Sequence, residues 1–110
     1  MEGKALELVV YKLNEGVSRE QFLGTNGAVS TWISKQPGFI SRDLVYDSDG
    51  GRWVDVIWWE TMEQAHAASE ASMTSESCLP MFAQIHEESM LMVHGLPAID
   101  SVTAATPVEV

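Results

Sequence analysis

Few residues in this 110-residue sequence have types and spacing suited to chemistry. Phe22, Asn26, Val29 and Ile33 are spaced i, i+4, i+7, i+11, so an asparagine sits inside one apolar helical stripe. Met62, Ala65, His66, Ser69 and Met73 form a corresponding stripe further on, with a histidine inside it. A polar residue on such a stripe most often does no more than satisfy a buried hydrogen bond. Together the two suggest an acid/base pair, an amide that holds a carbonyl or enol, Asn26, beside an imidazole able to move a proton, His66. In "LGTNGAV", Gly24 and Gly27 flank that asparagine, where each costs about 1 kcal/mol relative to alanine in a helix. They either clear space for a ligand or mark close packing or a break in the helix. Tyr11, Trp58 or Trp59, Met62 and Met73 are the expected lining of such a space, although each alone reads equally as ordinary core. His94 reaches either that space or the sheet edge, and His86 begins a strand in solvent.

Other chemistries find little support. No two histidines have metal-ligand spacing, and Cys78 is the single cysteine, so no metal site and no internal disulfide are expected. "DSDGGRWVD" resembles a calcium loop only in its opening: Gly51 falls at the fifth loop position and Trp58 at the twelfth, where glutamate is needed. With no phosphate-binding glycine fingerprint or nucleophile elbow, no cofactor is expected. Six basic against sixteen acidic residues give a net charge of −10, which repels nucleic acid and anionic membranes and keeps a small protein soluble. The absence of a leader-like opening, of a long apolar run and of paired cysteines leads to an expected cytoplasmic setting.

The elements that must position these residues follow from local signals. "ALELVVYKL" (5–13) reads as a strand closed by "NEG". Ser18 and Gln21 form a capping box, with Val17 and Phe22 as a hydrophobic staple, opening a helix to about Lys35 that "QPGF" (36–39) stops. "FISRDLVYD" (39–47) and "RWVDVIWWE" (52–60) are strands joined through "SDGG" as a hairpin. Thr61 and Gln64 cap a second helix running to about Glu76. A short helix fits within 75–85, with Pro80 in its first turn. "EESMLMVHGL" (87–96) is the last strand, and 97–110 is a tail beyond a single domain of residues 1–96.

The order strand, helix, strand, strand, helix, strand gives an α+β, ferredoxin-like βαββαβ fold: a four-stranded antiparallel sheet with both main helices on one face. Both faces of the sheet are apolar. Leu6, Leu8 and Val10 oppose Val9, Tyr11 and Leu13; Val54, Val56 and Trp58 oppose Ile57 and Trp59; Met90 and Met92 oppose Leu91 and Val93. Because neighbours along a strand point to opposite faces, Trp58 and Trp59 cannot share a layer, and parity alone does not say which of them lies under the helices. The second face calls for a second copy of the same sheet, giving a homodimer packed face to face.

This order, with "QPGF" leading into the second strand and "WWETMEQA" into the second helix, resembles the dimeric α/β-barrel superfamily, in its antibiotic-biosynthesis-monooxygenase-like branch, over residues 5–96. The resemblance implies a homodimer with an apolar pocket in each subunit, and members that include cofactor-free oxygenases of polyketide-like aromatics and haem-degrading enzymes. The histidine that in many relatives follows the third-strand tryptophan falls here on Ala68, about half a helical turn from His66. Val9 stands where the haem-degrading branch has asparagine, and the second helix has no tryptophan, so haem cleavage is disfavoured. The expected function is a hydrophobic-small-molecule-binding homodimer, acting as a cofactor-independent monooxygenase on an aromatic or polyketide-like compound. The alternatives are a non-catalytic carrier or sensor of a ligand such as a fatty acid, and a purely structural dimer module.

Overall fold

The computed structural model describes residues 4–105. Its elements are β1 (Ala5–Tyr11), α1 (Arg19–Ile33), β2 (Phe39–Asp47), β3 (Arg52–Trp59), α2 (Met62–Ser72), α3 (Leu79–Phe82) and β4 (Leu91–Gly95), with a 3₁₀ turn at Glu87–Ser89. The strands form one antiparallel sheet in the order β2-β3-β1-β4, the ferredoxin-like arrangement. The central strands alternate strictly: Ala5, Glu7, Val9 and Tyr11 of β1, and Trp53, Asp55, Ile57 and Trp59 of β3, are buried, while the residues between them are half-buried. Trp59 therefore lies under the helices and Trp58 on the opposite face.

Local signals account for the boundaries. Ser18 and Gln21 close a reciprocal capping box on α1, with Gln21 N donating to Ser18 Oγ at 3.0 Å and Ser18 N to Gln21 Oε1 at 2.9 Å. Gly38 turns the chain into β2 with φ 82, which only glycine adopts without strain. Gly51 does the same in the hairpin with φ 66, while Asp47 accepts from Gly50 N and pairs with Arg52 at 2.9 Å.

Three boundaries differ from the sequence reading. Helix α2 stops at Ser72 rather than near Glu76, because Ser72 and Thr74 turn their hydroxyls back onto the carbonyls of Ser69 and Ala71 and compete with helix continuation. Strand β1 ends at Tyr11, and Leu13 makes only an isolated bridge to Ile85. The last strand begins at Leu91 rather than residue 87, since Ser89 binds Lys12 N and His86 O and holds the preceding residues in the 3₁₀ turn.

The core divides into two clusters. One gathers Val9, Tyr11, Phe22, Val29, Trp53, Cys78, Met81 and Ile85; the other gathers Ala5, Ile33, Ile57, Trp59, Ala65 and Ala68. The sheet's other face carries Leu6, Leu8, Val10, Val54, Val56 and Trp58 half-buried, with Val45, Leu91 and Val93 exposed. Among the described residues, no helix is long and apolar enough to cross a membrane.

Candidate functional site

Between sheet and helices lies a cavity of about 190 Å³ that takes its walls from both core clusters. Val9, Tyr11, Ile57 and Trp59 form its floor; Val29, Trp32 and Ile33 of α1 and Ala68 of α2 form much of its roof. Met73, Met90 and Met92 line it too while remaining 66%, 44% and 41% exposed, so they form its rim, between the end of α2 and β4. The lining is largely apolar, interrupted on the sheet side by Glu7, Tyr11 and the Arg42–Asp55 pair, and at its far edge by Glu87.

The pair is a brace. Arg42 lies diagonally across from Asp55 and donates from Nε and Nη2 to both carboxylate oxygens at 2.8 Å. It also donates to Asn26 Oδ1 at 2.7 Å and Ser30 Oγ at 3.0 Å, tying the sheet to α1. Burial alone would weaken the guanidinium's hold on its proton, but the Asp55 hydrogen bonds and charge keep it above its ordinary value. Leaving one partner of such a buried pair alone costs about 3–5 kcal/mol.

Glu7 and Tyr11 are the groups with capacity to spare. Glu7 is 7% exposed and accepts one hydrogen bond, from Trp59 Nε1 at 3.0 Å. Burial pushes its carboxyl up to about 7, against the pull of the Trp59 bond and with a further rise from the Asp55 charge. The Tyr11 hydroxyl is buried with no hydrogen-bond partner, and burial together with Asp55 raises its pKa, so it stays a protonated donor. A buried unpaired hydroxyl costs about 1–3 kcal/mol, which a ligand oxygen would relieve.

The residues singled out from the sequence divide. Tyr11, Trp59 and Met73 line the cavity. Asn26 is buried on the expected stripe, but both polar atoms of its amide already have partners: Nδ2 donates to Phe22 O at 2.8 Å and Oδ1 accepts from Arg42. His66 is exposed, because the inward face of α2 keeps Ala65, Ser69 and Met73 of the expected stripe but widens toward Ala68 and Ser72, which leaves His66 on the outer edge. No hydrogen bond joins His66 to Asn26, so the expected pair is not assembled. His94 sits opposite Glu7 on β4, its ring 4.7 Å from that of His66. Gly24 and Gly27 face open space, where an added Cβ would meet nothing, so they clear no room for a ligand. Trp58 lies on the far face, and Met62 packs on the second core cluster.

Glu7, Asp55 and Arg42 escaped the sequence reading, though a signal for the carboxylates existed. Glu7 shares the parity of Tyr11 and Asp55 that of Trp59, so each is a charge on the helix-facing side of an otherwise apolar strand.

No protein-family model matches the chain, and no curated protein matches it by sequence. Solved structures do match. The chain resembles SnoaB, a cofactor-independent oxygenase from Streptomyces nogalater, at TM-score 0.63 and 15% identity over 91% of this chain and 96% of that one. It resembles the ActVA-Orf6 monooxygenase of Streptomyces coelicolor, solved with the ligand nanaomycin D, at TM-score 0.64 and 15% identity over 94% and 95%. A hydroxynitrile lyase from Passiflora edulis matches at TM-score 0.66 and 10% identity, over 94% of this chain and all 100% of that one. The fold is thus that of the antibiotic-biosynthesis-monooxygenase-like ferredoxin-fold proteins. The lyase shows that this backbone also carries other chemistry.

Proposed function

We propose that the chain is a cofactor-independent oxygenase acting on an aromatic, polyketide-like compound with an acidic phenol, enol or doubly activated methylene. The observation that carries this reading is the apolar cavity with a buried, unpartnered Tyr11 hydroxyl and a buried Glu7 carboxyl on its floor. Its supports are the oxygenase descriptions of SnoaB and ActVA-Orf6. The apolar walls hold the rings, and Tyr11 donates to the oxygen on which charge develops, the task first expected of Asn26. Once deprotonated, the substrate carbanion reduces dioxygen itself. One oxygen atom becomes the carbonyl that replaces the methylene, and the other leaves as water, whose two protons, exchanged through solvent, balance the two lost by the methylene, so no external reductant is consumed. The functional unit is a homodimer formed through the open sheet face, without nucleic acid or membrane as partner.

The test is dioxygen uptake with a dihydroxyanthrone. Uptake matched by quinone formation, reduced at least 10-fold in Tyr11→Phe, is expected; absence of uptake with the anthrone bound contradicts the oxygenase. That second result favours the carrier reading, which the methionines of the rim support, since flexible thioethers adapt to varied apolar ligands.

A further inference from the structure

We propose that Glu7 is the group that takes the substrate's proton, and that His94 and His66 form its route from the cavity to the surface. This rests on the oxygenase reading and names the acid/base machinery of the same site.

The geometry is continuous. Glu7 lies on the cavity wall, with one carboxylate oxygen held by the Trp59 indole, which fixes its orientation. His94 faces Glu7 across the β1–β4 ladder, and its Nε2, buried and without a hydrogen-bond partner, stands 3.8 Å from Glu7 Oε1. Rotation of the imidazole within its broad χ2 well closes that gap. The His94 ring meets the exposed His66 ring in a T-shaped contact, with centroids 4.7 Å apart at 81°. A buried carboxyl, a half-buried imidazole and an exposed one thus run outward in sequence.

The protonation states suit the path. Burial, then the neighbouring His66, lowers the His94 pKa, so His94 is neutral near pH 7 and its contact with Glu7 is a close approach rather than an ion pair. A neutral imidazole accepts a proton at one ring nitrogen and releases another from the second. In the step, a substrate C–H or O–H bond breaks and an O–H bond forms on Glu7. That proton passes to His94 Nε2, and His94 releases its other ring proton toward His66 and water, leaving Glu7 ionised again. Of the other groups around Glu7, Asp55 on β3 opposes its ionisation, Arg42 on β2 is engaged by Asp55, and Tyr11 on β1 stays protonated; Glu87 lies on the cavity wall in the 3₁₀ turn before β4.

Two readouts test this. Without substrate, the Trp59 indole N–H resonance reports the Glu7 proton directly. It is expected to titrate with a midpoint near pH 7, where burial places the Glu7 carboxyl, to lose that titration in Glu7→Gln, and to shift its midpoint in His94→Gln. A Trp59 signal with no midpoint near neutrality overturns the assignment, whatever the enzyme does. With the dihydroxyanthrone, Glu7→Gln is expected to lower kcat by about 100-fold or more while the anthrone still binds. His66→Gln is expected to lower kcat several-fold with recovery in imidazole buffer. Unchanged kcat in Glu7→Gln overturns the base, and a His66→Gln variant indifferent to imidazole overturns the route. Lack of turnover in the unaltered protein counts against the oxygenase reading alone, and the indole titration still decides on Glu7.

Discussion

Glu7 is held against its own ionisation, and that has a consequence for stability as well as for proton transfer. Its pKa is raised from 4.5 to about 7 in the fold, so between those values the folded chain binds more protons than the unfolded one. Stability is then highest below pH 4.5 with respect to this group, falls as pH rises, and levels off above about pH 7, by about 3 kcal/mol at the extreme. Glu7→Gln keeps the acceptor for Trp59 and removes the charge. Denaturant unfolding is expected to show the variant more stable than the parent above about pH 7, with the difference vanishing below pH 4.5. Single residues were the least legible part of the site. Tyr11 was recognisable as lining, but Glu7 and Asp55 look like ordinary strand charges until Trp59 and Arg42 are seen closing on them from neighbouring strands. His66 went astray because a helix with few large apolar residues has no strong face: Ala65 and Ala68 carry the packing of α2, and His66 lies at the edge of that face, exposed.

At the scale of elements the sequence was far more informative. Capping residues, the proline–glycine stop and the glycine-rich hairpin act within a few residues of chain, and the structure forms each where its chemistry stands, the cap of α2 through Thr61 alone without the return bond from Gln64. Apart from the early end of β1 at Tyr11, the exceptions lie in residues 73–90, where serines bond back to the backbone and neither helical nor strand periodicity governs. Gly38 shows how a short signal does two jobs. It needs positive φ, and the Gln64 side chain of α2 occupies the space a Cβ would take, so the turn into β2 and the start of α2 are packed together. Gly38→Ala is expected to lower stability by about 2 kcal/mol or more in denaturant unfolding, the cost of backbone strain together with displacement of the Gln64 side chain.

For the whole molecule, the pair Trp58–Trp59 divides two tasks between two faces: Trp59 closes the cavity, and Trp58 lies among the valines and leucines of the open sheet. Parity made that division legible, and the burial of Glu7, Asp55 and Tyr11 beside Trp59 decides its sense. The open face is expected to pair with a second copy. Val56→Lys, at its centre, should convert a dimer to a monomer in light scattering at micromolar concentration without altering the cavity. The central claim, that the space between sheet and helices is the ligand site, is tested most directly by the four tryptophan indole N–H signals in a nitrogen–proton correlation spectrum. A dihydroxyanthrone added under argon is expected to move the signals of Trp59 and Trp32, which line the cavity, and to leave Trp58 in place. Movement of Trp58 alone, or of none of the four, would contradict it.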